Sequence, residues 1–212
     1  MYTKLISITK PWDKDMTPEK LIIYIARVSS GKSDEEKKED ITGLLGFLIK
    51  NNHWSPFEMV NITFEIQTSR TIAQQILRHR SFSFQEFSQR YAKAVTMEPV
   101  EMRMQADKNR QISTKPTSDY EVIVADHLTR SQYIYNELIE AGVAKETARF
   151  VLPLTTRTTL YMNGTLRSWI HYLFIRDDGH TQLEHQRIAQ VIKIKLGEHF
   201  PHTWEALKWL QI

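Results

Sequence analysis

The chain has 212 residues, of which 41% are hydrophobic and 25% charged, with a formal net charge of +3. These values are typical of a soluble globular protein with one sizeable core. The small basic excess suits a nucleotide or phosphate ligand, and it is too weak to favour binding to duplex nucleic acid. Because there is no cysteine, disulfides, thiolate metal sites and thiol nucleophiles are excluded.

The sequence shows no repeat, linker or low-complexity tract, so we expect a single domain over residues 1–212. It also shows no apolar run long enough to cross a membrane and no charged-then-apolar leader. No membrane association and a cytoplasmic location are therefore expected.

The first part of the chain predicts a strand followed by two helices. Residues 4–9 alternate apolar and polar side chains, as in a short strand. Thr17 followed by Pro18 is typical of an N-cap and the first helical position. Ser33 and Glu36 form a capping-box pattern, which predicts a helix running on to Ile49.

The central part predicts a strand and a helix that ends in cations. Residues 60–66 alternate strictly and give the clearest half-buried strand of the chain. Ser69 is the expected cap of the next helix, at whose C-terminal end we place Arg78, His79 and Arg80. Cations are favoured there by the helix dipole, so a simple capping role is an alternative for some of them.

The second half predicts further helices and one strand. Residues 103–118 are polar and are expected to form a surface loop. The remaining predicted elements are a long helix over 119–141 closed by Gly142, a short helix before Pro153, a Thr-rich strand over 155–161, and helices over 164–175 and 182–196. Trp204 and Trp209 are expected to pack the last helix onto the core. The fold class is therefore α+β, a helix-rich domain with a small antiparallel sheet.

Residues 75–91 carry the strongest functional pattern. Gln75 and Arg78 lie on one face of the predicted helix. Glu86, Ser88 and Arg90 alternate, so in an extended segment their side chains would share one side. Because Arg presents a planar fork of donors that matches phosphates and carboxylates, the segment predicts an anionic, ring-containing ligand such as a nucleotide monophosphate.

The same segment contains a specific motif: Arg78-His79-Arg80, seven residues, Ser88 and then Arg90-Tyr91. This motif resembles the defining motif of the flavin-dependent thymidylate synthases. The other matching segments, in chain order, are His53-Trp54-Ser55-Pro56-Phe57-Glu58, Ala148-Arg149-Phe150-Val151-Leu152-Pro153, Arg167-Ser168-Trp169-Ile170-His171, and Arg176 followed by His180 and Gln182. The resemblance covers most of the chain.

The resemblance implies two sets of site residues. The expected ligands of flavin adenine dinucleotide (FAD) are Ser55, Arg78, His79, Arg80, Glu86, Thr165, Arg167 and His171, with His53 on the flavin or folate side. The expected ligands of 2′-deoxyuridine 5′-monophosphate (dUMP) are Gln75, Arg78, Glu86, Ser88, Gln89, Arg90, Arg149 and Arg176. Arg176 is the expected catalytic residue, because a cation beside the uracil ring favours its ionised N3 form.

The reaction implied by the resemblance is methylation of dUMP to dTMP. Methylenetetrahydrofolate would supply the carbon and NADPH the hydride, with FAD as cofactor. The absence of cysteine is consistent with this, because the thiolate-dependent route to thymidylate is closed to this chain. The family resemblance also implies a homo-oligomer, a tetramer with active sites shared between subunits.

Two positions depart from the family pattern. Gln89 stands where many members have glycine, and its side chain is expected either to crowd the phosphate or to point outward. Thr165 stands where some members have an asparagine that contacts the flavin, and Asn163 is the candidate to compensate.

The remaining histidines favour no metal site. His180 and His185 miss the spacing of helical zinc pairs, and no metal is expected. His127, His199 and His202 are expected at the surface or in packing contacts. The alternative function is a single-stranded nucleic-acid-binding domain that uses the cations and aromatics of residues 78–91, with salt-sensitive binding and no flavin.

Overall fold

The computed structural model describes residues 1–29, 40–93 and 96–207. Four strands form an antiparallel sheet in the order β1-β2-β6-β3, and two more form a separate hairpin. The strands are β1 (Tyr2–Ile8), β2 (Asn61–Ser69), β3 (Ser83–Glu86), β4 (Arg103–Gln105), β5 (Ser113–Pro116) and β6 (Arg157–Thr165). The α-helices are α1 (Pro18–Ala26), α2 (Ile41–Lys50), α3 (Arg70–Ile76), α4 (Glu121–Glu140), α5 (Lys145–Ala148), α6 (Leu166–Arg176), α7 (Leu183–His199) and α8 (Pro201–Leu207).

Strand β2 is one of the two inner strands of the main sheet. Its Ile62, Phe64 and Ile66 are fully buried, while Asn61 and Gln67 are exposed, which confirms the predicted alternation. The strand pairs with β1 on one side and with β6 on the other. The chain combines many helices with this small antiparallel sheet, which confirms the predicted α+β class.

Strand β6 is longer than the sequence predicted. It continues to Thr165 because every residue from Arg157 onward pairs with β2. Gly164 therefore lies in the strand, opposite Ile62, and not in the following helix. A Cβ atom at Gly164 would clash with the ring of Phe82, so only glycine fits there without a shift of that ring.

The helix ends follow the predicted capping chemistry in part. The Thr17 side chain accepts a hydrogen bond from Lys20 N, and Gly142 adopts a φ of 82° after α4, as predicted. The capping box of Ser33 and Glu36 lies outside the described residues. Within the described residues the following helix begins at Ile41, and Asp40 Oδ1 accepts from Gly43 N at 2.8 Å.

Two local predictions are wrong. Helix α3 ends at Ile76, so Arg78, His79 and Arg80 lie in the turn after the helix and not in its last turn. At its other end, Ser69 occupies the predicted N-cap position, but its side chain makes no capping hydrogen bond. Residues 103–118 form the β4–β5 hairpin and not a loop. The strands of the hairpin carry mostly polar side chains, and their one large apolar residue, Met104, is exposed, so the sequence shows no apolar alternation there.

Helices pack against the main sheet to form the core. Trp169 and Tyr172 of α6 are fully buried there, and Trp204 packs partly buried against the same core, as expected. Trp209 lies outside the described residues. Tyr135 is fully buried in a smaller cluster with Ala148, whereas Tyr133 is exposed.

The lone histidines lie where the sequence placed them. His127 and His199 are exposed, and His202 is half-buried with its Nδ1 2.8 Å from the Thr42 hydroxyl. Among the described residues, no helix is both long and apolar enough to cross a membrane.

Candidate active site

The C-terminal end of α6 meets the turn that follows α3. Arg176, the last residue of α6, donates from Nε to His79 Nε2 at 2.9 Å. The His79 ring also makes an edge contact with Tyr172, with ring centroids 5.0 Å apart. A guanidinium and an imidazole from distant parts of the sequence thus lie together at the edge of the core.

His79 is neutral at physiological pH. Burial, the Arg176 guanidinium and His171 together lower its pKa from 6.5 to about 4. The unprotonated Nε2 can therefore accept the hydrogen bond from Arg176, which itself stays charged. This bond fixes the guanidinium at the rim of a pocket.

That pocket has a volume of about 490 Å³ and is rich in hydrogen-bond donors. Its lining includes Gln75, Arg78, Arg176, Asp178, His180 and Gln182. Asp178 accepts from both the backbone N and the ring of His180, so its carboxylate is already engaged. Two guanidinium groups, together with the amides of Gln75 and Gln182, therefore remain for an anionic or carbonyl-bearing ligand.

A larger cleft of about 630 Å³ lies along the side of α6. It is lined by Trp54, Glu58, Ser81, Arg167, Ser168, Ile170, His171 and Phe174. Arg167 forms an ion pair with Glu58. Aromatic and apolar side chains together with two potential cations suit a flat ring that carries anionic groups.

In the described part of the chain, the other predicted flavin residues are not among the side chains that line this cleft. Ser55 and His53 are exposed and flank Trp54 in the chain, and Arg80 is exposed next to Ser81. The Thr165 hydroxyl is used at the start of α6, where it accepts from Ser168 N at 3.2 Å. Asn163, the candidate to compensate for Thr165, donates to Thr63 Oγ1 at 2.8 Å.

A third group of predicted residues lies between the end of β3 and helix α5. Arg90 Nη2 contacts the Glu146 carboxylate at 3.3 Å, and Arg149 Nε donates to the Glu146 carbonyl at 3.2 Å. Arg90 and Arg149, two of the expected dUMP ligands, therefore contact the same residue. Glu86 is bound from two sides, by Thr158 Oγ1 at 2.8 Å and by Arg70 Nη1 at 3.4 Å.

The expected side-by-side arrangement of Glu86, Ser88 and Arg90 is wrong. Strand β3 ends at Glu86, and Ser88 and Arg90 lie in a turn in which Arg90 N donates to Ser88 Oγ at 3.3 Å. Gln89 does not point outward, because it is only 4% exposed. Within the described part of the chain, its buried Nε2 finds no hydrogen-bond partner.

Sequence reasoning missed a hydrogen-bonded row of side chains behind Gln75. His185 is fully buried, with Nδ1 3.2 Å from Gln75 Oε1 and Nε2 3.0 Å from the Tyr172 hydroxyl. Gln75 Nε2 donates to Gln182 Oε1 at 2.6 Å, and Gln182 Nε2 donates to Glu184 Oε2 at 3.0 Å. The available signal was that Gln182 and His185 lie one helical turn apart.

Burial and hydrogen bonds together set the protonation states of the side chains in this row. Burial, Arg176 and His79 lower the pKa of His185 from 6.5 to about 3, so its ring is neutral. Burial also raises the pKa of the Tyr172 hydroxyl. For Glu184, burial acts to raise the pKa, but hydrogen bonds from Arg103, its own backbone amide and Gln182 outweigh it and lower the pKa. Glu184 is therefore a carboxylate.

Comparison with known proteins identifies relatives over the whole fold. A family model described as thymidylate synthase complementing protein matches residues 12–202. Among solved structures, a UMP/dUMP methylase, PolB, from Streptomyces cacaoi has the same fold, with a TM-score of 0.82 at 23% identity over 98% of this chain and 94% of that one.

Curated relatives are closer in sequence. A protein of Paramecium bursaria Chlorella virus 1, named "Probable flavin-dependent thymidylate synthase", is 46% identical over 99% of this chain and 100% of its own length. The flavin-dependent thymidylate synthase of Synechocystis is 46% identical with the same coverage, and one from Thermus thermophilus is 34% identical over 91% of this chain and 73% of its own. This chain therefore belongs to the flavin-dependent thymidylate synthase family.

Proposed function

We propose that this chain methylates dUMP to dTMP, with methylenetetrahydrofolate as carbon donor, NADPH as reductant and FAD as cofactor. Family membership supports the reaction class. The observation that supports this pocket as the reaction site is the position of the Arg176 guanidinium. His79 holds it at a pocket that is also lined by Gln75 and Arg78.

Arg176 activates the uracil ring. A guanidinium beside the base lowers the pKa of N3 and stabilises the negative charge that develops on the ring. His79 stays neutral and accepts from Nε, so the other guanidinium N–H groups of Arg176 remain available to the base. This electrostatic activation takes the place of thiolate attack in a chain without cysteine.

Arg90 and Arg149 bind the phosphate of dUMP. Both already contact Glu146, and the Arg90–Glu146 ion pair is exposed to solvent. An exposed pair contributes little to stability, so a phosphate dianion can displace the carboxylate at little cost. Ser88 supplies a hydroxyl for binding and is not the nucleophile, since none of the described contacts gives it an activating base. Gln89 and Glu86 complete the proposed dUMP residues.

The residues of the cleft along α6 fit FAD. Trp54 and Phe174 offer surfaces for a flat ring, and Arg167 and His171 offer donors for anionic groups. When bound, FAD supplies the redox chemistry between NADPH and the transferred carbon. Arg78, His79, Arg80, Glu86, Ser55 and Thr165 are proposed as further contacts, with His53 on the flavin or folate side.

We further propose that the chain acts as a homotetramer whose subunits share active sites. In support, the proposed residues of one chain fall into three groups: the pocket at Arg176, the cleft at Arg167 and the turn at Arg90. Subunit mixing tests this proposal. Two inactive variants, Arg176→Ala and Arg90→Ala, should regain activity when they are unfolded and refolded together, whereas a chain that forms its sites alone would give no recovery.

The reaction is tested by release of tritium from dUMP labelled at C5, with methylenetetrahydrofolate and NADPH present. Release that requires added FAD would support the proposed function, because the C5 hydrogen is replaced in the reaction. Folded protein that releases no tritium and binds no FAD would contradict it.

A further inference from the structure

The amide of Gln75 is held by neighbours on both sides. Its carbonyl oxygen faces His185 Nδ1 at 3.2 Å, and its nitrogen donates to Gln182 Oε1 at 2.6 Å. A rotation of the amide by 180° would exchange its oxygen and its NH₂ group. Which of the two faces a ligand therefore depends on what the neighbouring groups can donate or accept.

Glu184 determines the direction of the whole row. As a carboxylate it can only accept hydrogen bonds, and Arg103 Nη2 already donates to its Oε1 at 2.5 Å. Gln182 must therefore turn its NH₂ group to Glu184 and its carbonyl oxygen to Gln75. Gln75 must in turn present its NH₂ group to Gln182 and its carbonyl oxygen to His185.

The buried end of the row agrees with this direction. A carbonyl oxygen at Gln75 requires a proton on His185 Nδ1, and a neutral ring then leaves Nε2 free to accept. The Tyr172 hydroxyl lies 3.0 Å from that Nε2 and is a donor at any physiological pH. Every bond from Tyr172 to Glu184 is thus satisfied in one orientation only.

The orientation of the Gln75 amide also determines which of its atoms face the pocket at Arg176. Gln182 lines that pocket together with Gln75, whereas His185 lies behind it in the core. The NH₂ edge of Gln75, with its second hydrogen, is therefore on the pocket side, beside the guanidinium groups of Arg78 and Arg176. We propose that Glu184 and His185 are positioning residues that make Gln75 a hydrogen-bond donor to the base and so select uracil over cytosine.

The selection follows from the groups on the two bases. Uracil carries a carbonyl oxygen at C4, which accepts from an amide N–H. Cytosine carries an amino group at that position, which would face another donor and leave both groups without a partner. Sites built on oriented hydrogen bonds discriminate between such analogues more strongly than apolar pockets do. The inference rests on the proposed function, because it takes the pocket at Arg176 as the base site.

The test is the ratio of the dissociation constants for dCMP and dUMP, measured by equilibrium dialysis on full-length protein loaded with FAD. Glu184→Gln removes the acceptor that sets the direction, and His185→Leu removes the donor to Gln75. Glu101→Gln is the matched control, because Glu101 also binds Arg103, at 3.3 Å, but is not part of the row. His185→Asn restores a donor near the position of Nδ1.

We expect the wild type to prefer dUMP by about 100-fold or more, and this preference to fall about tenfold or more in Glu184→Gln and His185→Leu. Glu101→Gln should keep the wild-type ratio, and His185→Asn should recover it in part. A purely structural role would weaken both nucleotides equally, so an unchanged ratio in either folded variant would overturn the assignment.

A second measurement uses the wild-type protein and requires neither a folded variant nor enzymatic activity. Nitrogen-15 NMR of histidine-labelled wild-type protein should show a pyrrole-type Nδ1 and a pyridine-type Nε2 for His185. A proton on Nε2 would overturn the inference even if the enzyme methylates dUMP. Conversely, wild-type protein that binds neither nucleotide and releases no tritium would contradict the proposed function, whatever the tautomer of His185.

Discussion

Arg176 combines a permanent charge with a fixed position. Its Nε is held by a histidine that burial keeps neutral, so the contact adds orientation without adding a second charge. Preorganised cations of this kind lower the free energy of transition states because no further reorganisation is needed during the reaction. Both residues belong to recognisable motifs, but the bond between them joins positions 97 residues apart and depends on the packing of α6 against the turn after α3.

Replacing Arg176 by alanine should reduce turnover by at least about 10²-fold, because the developing charge on the uracil ring loses its partner. FAD binding should survive, since the cleft along α6 is lined by other residues. Tritium release and flavin absorbance measure the two effects. Arg187→Ala, an exposed arginine on α7, is the control and should behave as the wild type. Normal turnover in Arg176→Ala would contradict the proposed role.

Replacing Ser88 by alanine should weaken dUMP binding about tenfold and change turnover at saturating dUMP much less, because a binding hydroxyl is lost and no nucleophile is removed. Ser83→Ala, on the exposed side of β3, is the matched control. Equilibrium dialysis and tritium release separate the two quantities. Loss of turnover at normal dUMP affinity would instead identify Ser88 as a catalytic group.

At the scale of elements, α6 connects the two proposed ligand sites. Arg167 and His171 face the larger cleft, and Arg176 at the end of the helix borders the smaller pocket. The start of the helix is fixed by Thr165, whose hydroxyl accepts from Ser168 N. A shift of this single helix would therefore disturb both sites at once.

Thr165→Ala should lower the free energy of unfolding by about 1 kcal/mol, because α6 loses its N-cap. Thr165→Ser keeps the hydroxyl and should retain nearly the full stability. Urea denaturation of the two variants and the wild type measures the difference. Equal stability of all three, together with weaker FAD binding by Thr165→Ala, would show that the hydroxyl serves the flavin and not the helix.

The elements that sequence reasoning located were those with an apolar pattern or a capping residue. The alternation in β2 and the glycine after α4 are examples. The β4–β5 hairpin was missed because its short strands show no apolar alternation. The hydrogen bond from Arg103 of the hairpin to Glu184 joins residues 81 positions apart, so the sequence does not reveal it either. The residues of the proposed site were suggested by the motifs, but their division into three groups depends on tertiary packing, as does the hydrogen-bonded row behind Gln75.

At the scale of the whole molecule, two histidines link folding to pH: the half-buried His79 and the fully buried His185. The folded state lowers the pKa of His79 to about 4 and that of His185 to about 3, from 6.5 for each. His79 faces Arg176, His171 and Tyr172, and these surroundings disfavour a further positive charge. As the pH falls below 6.5, the unfolded chain takes up protons before the folded chain does, so these groups reduce stability progressively in acid.

We therefore expect the Tm to be insensitive to these two groups above about pH 7 and to fall between 6.5 and about 4. His185→Leu removes one of the two groups, so its Tm should depend less steeply on pH in that window. Circular dichroism melts across the window measure both slopes. Parallel slopes for variant and wild type would show that His185 does not take up a proton on unfolding.

The two ends of the described chain are joined by a buried contact. Glu19 of α1 is 3% exposed, and its Oε1 accepts from Thr203 N at 2.6 Å and from Thr203 Oγ1 at 2.7 Å, although the two residues are 184 positions apart. At about 5–20 residues per second, a ribosome needs about 10–40 s to make the intervening segment. During that interval the Glu19 carboxylate has no native partner. Nascent chains should therefore depend on chaperones until α8 has been translated.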